Sequence, residues 1–184
     1  MEQLLQSLLN LLDIRVLGSE YTVQGDLIIR VESTVDGARC RRCGRTISQF
    51  HGHDQPLRLR HLPIFERRVY LEIRPRRYRC PHCQGNPTTT QRCAWYEPNS
   101  SHTRAFEHDM LRALINSTVV DVSRKHALTP AAVEGIVERH LAHEVDWSRL
   151  TDLGVIGIDE IALRKGHRDF VTIITSRDDA GQLT

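Results

Sequence analysis

Two Cys-x-x-Cys knuckles, Cys40-Arg41-Arg42-Cys43 and Cys80-Pro81-His82-Cys83, constrain this chain more than any other feature of its sequence. Each knuckle turns tightly enough to present two thiolates to one Zn²⁺, and two knuckles complete a tetrahedral structural site. Gly44 follows the first knuckle, where a tight turn often needs glycine, and Pro81 stiffens the second. The 36 residues between the knuckles exceed the usual ribbon spacer, but strand-like segments fill them and can return the chain to the metal. Two rival readings are a redox pair, which normally sits in a βαβ setting absent here, and free structural thiols. Cys93 has no partner knuckle and reads as a small buried residue. With four cysteines sufficient, His51, His53 and His82 are expected not to be ligands.

Compartment bears on the same question. The sequence opens Met1-Glu2-Gln3, with neither the basic region nor the cleavage site of a secretory signal, and no apolar run approaches the length of a membrane span. A cytoplasmic location is therefore expected, where paired cysteines serve as metal ligands more often than as disulfides. The 40% hydrophobic and 26% charged residues are those of a globular chain, not a disordered one.

Net charge is only +2, but it is unevenly placed. Residues 1–38 carry two Arg against six acidic residues, whereas residues 39–79 carry twelve Arg against Asp54, Glu66 and Glu72, an excess of nine. Arginine in that density is the footprint of a polyanion-binding surface, and a guanidinium forks onto phosphate and guanine edges. Clustered arginine can equally be a solvated face. The candidate DNA contacts from this stretch are Arg41, Arg42, Arg58, Arg60, Arg74, Arg76 and Arg77.

Four blocks follow one another along the chain. Residues 1–38 combine a Leu-rich helix over 3–12 with two strand-like runs, Tyr21–Val23 and Leu27–Val31, joined by a Gly25-Asp26 turn. Residues 39–97 form the cysteine module, in which Leu57–Arg60 and Val69–Ile73 alternate apolar with polar as half-buried strands do. After a Pro98-Asn99-Ser100 linker, residues 98–150 read as helices. Phe106, Met110, Leu111, Leu114 and Ile115 mark one face of a helix of about four turns. A short helix over Val119–Ala127 follows, and Thr129-Pro130 caps a third that buries Val133, Ile136, Val137 and Leu141. Short helix, turn and capped helix outline a helix-turn-helix, although any three-helix unit can look alike. Arg124, Lys125, Arg139 and His140 favour DNA contact there; Glu134 and Glu138 oppose it. Residues 151–184 are strand-rich.

In this order the modules, with the strand Val155-Ile156-Gly157-Ile158-Asp159-Glu160, resemble the ISL-three family of insertion-sequence transposases. The most specific match is Gly157-Ile158-Asp159-Glu160-Ile161-Ala162-Leu163-Arg164-Lys165-Gly166-His167, similar to the opening strand of that family's catalytic domain. The resemblance implies a ribonuclease H-like domain, an Asp-Asp-Glu triad whose first carboxylate is Asp159, Mg²⁺ as the catalytic metal, and DNA transposition. Read without it, Asp159 is an acidic residue ending a strand. The later Asp and the Glu would lie beyond residue 184, because Asp169, Asp178 and Asp179 come too early, so truncation within the catalytic domain is expected.

The fold class expected is thus α+β and multi-module: a β-rich zinc ribbon, a three-helix helix-turn-helix and the first hairpin of a ribonuclease H-like domain. Cys40, Cys43, Cys80 and Cys83 are the expected ligands of structural Zn²⁺. The expected function is recognition of double-stranded DNA at transposon inverted-repeat ends, without catalysis by this chain alone and with a homodimer among the assemblies to consider. A stand-alone zinc-dependent DNA-binding regulator is the alternative, and a zinc-ribbon RNA-binding or protein-interaction module a third class.

Overall fold

The protein is described from a computed structural model that covers residues 2–140, 154–162 and 170–177. It is a mixed α+β chain divided into two compact units, Met1–Arg139 and His140–Thr184.

The first unit is organised on a four-stranded sheet. Helix α1 (Glu2–Leu9) lays Leu5 and Leu9, four residues apart, against it. Asn10, at φ 46°, ends the helix in the left-handed conformation, so α1 stops short of Leu11 and Leu12. Strand β1 (Ile14–Tyr21) pairs antiparallel with β2 (Leu27–Ser33) across a turn in which Gly25 sits at φ 83°. Val23 falls in that turn, fully exposed, so the first strand lies earlier in the chain than its β-rich residues suggest. Strands β6 (Leu57–Ile64) and β7 (Arg67–Ile73) form a second hairpin, and β7 runs parallel to β2, giving the order β1-β2-β7-β6. Their alternation turns Leu59, Val69, Leu71 and Ile73 inward, where they meet Ile29 and Val31 of β2 and the Trp95–Tyr96 pair. Each such buried aliphatic side chain contributes about 1.5–3 kcal/mol. Cys93 packs partly buried against this core, and burial raises its thiol pKa.

The remaining strands are β3 (Ala38–Arg39), β4 (Thr46–Ile47), β5 (Gln49–His53), β8 (Arg76–Arg79) and β9 (Thr88–Thr90). β3 pairs with β4, and β5-β8-β9 make a three-stranded sheet. These strands leave the large sheet after β2, rejoin it before β6 and leave it again after β7. All three crossings lie at the same end, where Leu57 pairs with Ile73. The smaller sheets are thereby tethered to the large one three times.

Helices α2 (Arg104–Ala113), α3 (Val119–Lys125) and α4 (Pro130–His140) close the first unit's fold around Phe106, Met110, Val122, Val133 and Ile136. Thr103, Thr118 and Thr129 cap them, each hydroxyl accepting an amide N–H from the first turn. α2 has ten residues, fewer than the apolar pattern suggests: Ile115 is 70% exposed and Asn116 turns left-handed at φ 56°. Leu141 lies outside the described residues.

Residues 98–103 are fastened to the edge of the large sheet. Arg60 donates its backbone N–H to the Ser101 carbonyl at 2.8 Å and accepts from the Thr103 N–H at 2.9 Å. Buried His61 meets the Thr103 hydroxyl at 2.9 Å, and the Arg60 guanidinium lies 4.9 Å from the centre of the Phe106 ring.

The second unit's described part is an antiparallel hairpin of β10 (Val155–Ala162) and β11 (Phe170–Arg177), in which Asp159 pairs with Ile173. A Cβ at Gly157 would come within 2.7 Å of the Thr175 hydroxyl, so a larger residue there would have to displace that side chain.

Candidate metal centre and nucleic-acid interface

Strands β3 and β4 flank the first knuckle, and β8 and β9 the second, so that two ladders aim four sulfurs at one point. The Cys40 N–H donates to the Arg45 carbonyl and the Gly44 N–H to the Cys40 carbonyl, both at 2.9 Å. In the second knuckle the Cys80 N–H donates to the Pro87 carbonyl and the Asn86 N–H to the Cys83 carbonyl, both at 3.0 Å. Gly44 and Gly85 take φ values of 69° and 78°, the left-handed turn each knuckle needs to reverse.

The four sulfurs lie within 4.8 Å of one another, with Cys40 to Cys83 at 3.9 Å, Cys43 to Cys80 at 3.8 Å and Cys80 to Cys83 at 3.7 Å. A tetrahedron with Zn–S bonds of about 2.3 Å places its sulfurs about 3.8 Å apart, the spacing of these three pairs, so the cluster suits one zinc ion. The thiols differ in readiness to ionise. Backbone N–H groups of Cys43 and Arg42 lower the Cys40 pKa to about 6, whereas burial and the neighbouring thiols push Cys83 up to about 12. Burial also raises Cys80. A divalent cation supplies the charge that lets all four exist as thiolates. Ile47 and Tyr78 pack beside Cys40 and Cys80 and form the apolar remainder of this core.

The arginines of residues 39–79 separate into two sets. Arg58 pairs with Glu72 at 3.1 Å, Arg68 with Asp26 at 2.8 Å, and Arg76 with Asp36 at 2.7 Å and Glu32 at 3.7 Å. Arg60 is half-buried at the Phe106 ring, with the Ala127 carbonyl at 3.4 Å, and Arg77 donates to the Thr88 hydroxyl at 2.6 Å. Arg39, Arg41, Arg42, Arg45 and Arg74 are exposed, and among the described residues none has a carboxylate at ion-pair distance. Four of these five surround the first knuckle. Beside it lies a cleft of about 1410 Å³ between the small sheets, β6 and the 98–101 segment, lined by Arg39, Arg41, Arg58, Arg77 and Arg92. Arg39 and Arg92 are not among the contacts expected from the sequence; Arg92 lies outside the densely basic stretch, and only the fold brings it alongside.

In the helical part, Arg124 and Lys125 are exposed at the end of α3, and α4 exposes Glu134 and Glu138. Arg139 is committed inward. Its Nε and Nη2 donate to Glu107 Oε1 at 3.2 and 2.6 Å, and the Ser100 hydroxyl donates to the same oxygen at 2.7 Å. Glu107 is wholly buried on α2, so this ion pair locks α4 to α2 and to the segment before it. His140 ends α4, half-buried. Asp159 is exposed on β10.

Four clustered thiols between short ladders, with a three-helix unit docked on the adjoining sheet, define a zinc-ribbon helix-turn-helix protein. Residues 36–83 match the family model described as the zinc-finger of transposase IS204/IS1001/IS1096/IS1165, and residues 94–141 match the helix-turn-helix domain of transposase family ISL3. The chain belongs to the ISL3 family of transposases. It is 32% identical over 151 residues to the transposase for insertion sequence element IS1001 of Bordetella parapertussis, covering 80% of this chain and 36% of that protein. It is 29% identical over 141 residues to the transposase for insertion sequence element IS1557 of Mycobacterium tuberculosis, covering 76% of this chain and 31% of that protein. The chain therefore spans about a third of the length of these curated relatives. No solved structure matches it. The zinc-ribbon match and the four-cysteine cluster together support structural zinc. Among the described residues, no helix is long and apolar enough to cross a membrane.

Proposed function

We propose that residues 1–140 are the DNA-binding part of a transposase and recognise transposon-end duplex. The observation that carries this reading is the joining of a transposase-type zinc ribbon and a transposase-type helix-turn-helix in one compact unit, with unpaired arginines gathered at the first knuckle. Cys40, Cys43, Cys80 and Cys83 hold the zinc. Arg41, Arg42, Arg74, Arg124 and Lys125 are the DNA contacts whose side chains are at the surface, whereas Arg60, Arg76 and Arg139 act through the contacts they make within the fold. A homodimer bridging two ends is the assembly this reading expects.

The hairpin β10–β11 is consistent with the opening of a ribonuclease H-like domain, and its exposed Asp159 with the first carboxylate of a Mg²⁺ site. Two Mg²⁺ ions need several converging carboxylates, so Asp159 would act in strand cleavage only together with further carboxylates.

A labelled duplex carrying the element's inverted repeat, compared with scrambled duplex and with structured RNA, tests the reading. The expected result is tightest binding to the inverted repeat, with loss of that preference when Arg124 and Lys125 are replaced by Ala. Equal binding to repeat and scrambled duplex makes the chain a general DNA binder, and preference for RNA overturns the reading.

A further inference from the structure

The cleft beside the first knuckle is built from parts that only the fold unites. One wall comes from β3 and the first knuckle, with Arg39 and Arg41. Strand β6 contributes Arg58. Arg77 of β8 and Arg92, just after β9, close it, and residues 98–101 form its rim. Five arginines line it against two acidic residues, Asp36 and Asp54. Both carboxylates are already engaged: Asp36 binds Arg76, and Asp54 accepts from the Thr90 hydroxyl at 2.5 Å and the Gln55 N–H at 2.9 Å, which hold its pKa below the usual value. Arg39, Arg41 and Arg92 have no carboxylate partner among the described residues, and the Arg58–Glu72 pair is solvent-exposed and exchanges readily.

We infer that this cleft binds the phosphodiester backbone of duplex DNA and positions it without reading its sequence, an inference that rests on the DNA-binding reading above. Three features favour backbone over bases. Guanidinium and hydroxyl groups, here the five arginines with Thr88–Thr90 and Ser100–Ser101, are the set that contacts phosphate and sugar. Stacking on single-stranded bases needs exposed aromatic faces, and the one aromatic residue lining the cleft, Tyr96, is 7% exposed. The rim at 98–101 also lies just before the α2 cap Thr103, which sets the cleft beside the helix-turn-helix, where a duplex could reach both. Arg39 and Arg92 come from segments far apart in sequence that the fold sets side by side, Gln91 donating to the Gly37 carbonyl at 3.2 Å, so together they offer two guanidinium groups to the backbone.

The test uses the full chain, zinc-loaded, and a fluorescent mixed-sequence duplex titrated over a range of salt. Each lost phosphate contact removes about 0.9 from the slope of log affinity against log salt, so Arg39→Ala with Arg92→Ala should lower the slope by about 2 and the low-salt affinity by about tenfold or more. Arg39→Lys with Arg92→Lys should recover most of both, and all variants should keep their zinc. The preference for inverted repeat over scrambled duplex should survive the Ala pair. A wild-type chain that binds no duplex refutes the functional reading itself. A wild type that binds, with the Ala pair unchanged in slope, overturns the cleft alone. Loss confined to the inverted repeat shows base reading, and tighter binding of the matching single strand shows a single-strand groove; either overturns the inference.

Discussion

The zinc ribbon and the helix-turn-helix are matched over stretches of equal length, 36–83 and 94–141, yet they are held together by different means. The ribbon's own apolar core reduces to Ile47 and Tyr78 beside Cys40 and Cys80. Apart from β6 and β7, which join the large sheet, its strands are two to five residues long, too short to stand without the metal. The three helices enclose Phe106, Met110, Val122, Val133 and Ile136, add three threonine caps, and bury one ion pair. A module with little to bury depends on a cation; one with a closed apolar core does not. The difference also governs where charge can be displayed. The ribbon leaves Arg39, Arg41, Arg42, Arg45 and Arg74 at the surface without a carboxylate among the described residues, whereas the helical part uses Arg139 internally.

Metal removal should separate the two regions most strongly. Structural zinc contributes about 10–16 kcal/mol of apparent binding free energy in small zinc modules at neutral pH, so chelation or Cys43→Ser should release one zinc per chain and unfold residues 36–54 and 75–91. Amide exchange should rise there while α2 to α4 keep their protection. Collapse of helical protection at the same chelator concentration would show that the two regions are one cooperative element.

Acidification acts where the large sheet meets the helices, at His61 of β6 against the α2 cap Thr103. Burial lowers the His61 pKa to about 4, below its ordinary value of about 6.5. The unfolded chain therefore binds the proton first. The neutral ring's contribution is complete above about pH 6.5 and is lost as pH falls towards 4, a difference of about 3 kcal/mol. His61→Gln should flatten that dependence of unfolding, measured by denaturant titration across the window with zinc release followed separately. A variant with the same slope as wild type would assign the acid sensitivity to the thiolates instead.

Smaller still is the effect of the buried carboxylate. Breaking a fully buried pair costs about 3–5 kcal/mol, but the Arg139 side chain keeps 34% of its surface exposed and can recover water. Glu107→Gln should destabilise the helices by about 2 kcal/mol in thermal unfolding, leave zinc content unchanged, and weaken preference for the inverted repeat because α4 is no longer held in place. Unaltered stability would mean that the apolar contacts alone fix α4.

Much of this was legible from residue order. The two knuckles announced the metal site, because ligand spacing is local and each Cys-x-x-Cys turn is short enough to be set by its own residues. Thr129-Pro130 announced the start of α4, and alternation over Leu57–Arg60 and Val69–Ile73 announced their strands, because caps and two-residue periodicity are also local. Helix lengths were less legible. Asn10 and Asn116 end α1 and the α2 turn by adopting φ 46° and 56°, which the apolar patterns Leu11-Leu12 and Leu114-Ile115 conceal.

What the tertiary structure alone decided was which segments meet. The sequence places the hairpin 57–73 between the knuckles, but β7 hydrogen-bonds in parallel to β2, with Leu27 opposite Val69, so the hairpin joins the large sheet rather than the metal ladders. Pro98-Asn99-Ser100 reads as a free linker, yet its Ser100 is bonded to Glu107 and the residues that follow it to Arg60. Arg58, Arg60, Arg76 and Arg139 look alike as cations in the sequence, and only their neighbours separate a solvent-facing guanidinium from one spent on Phe106 or Glu107. Spacing fixes chemistry where the partners are a few residues apart; pairing between distant strands is settled by how much apolar surface each arrangement buries, which no local pattern records.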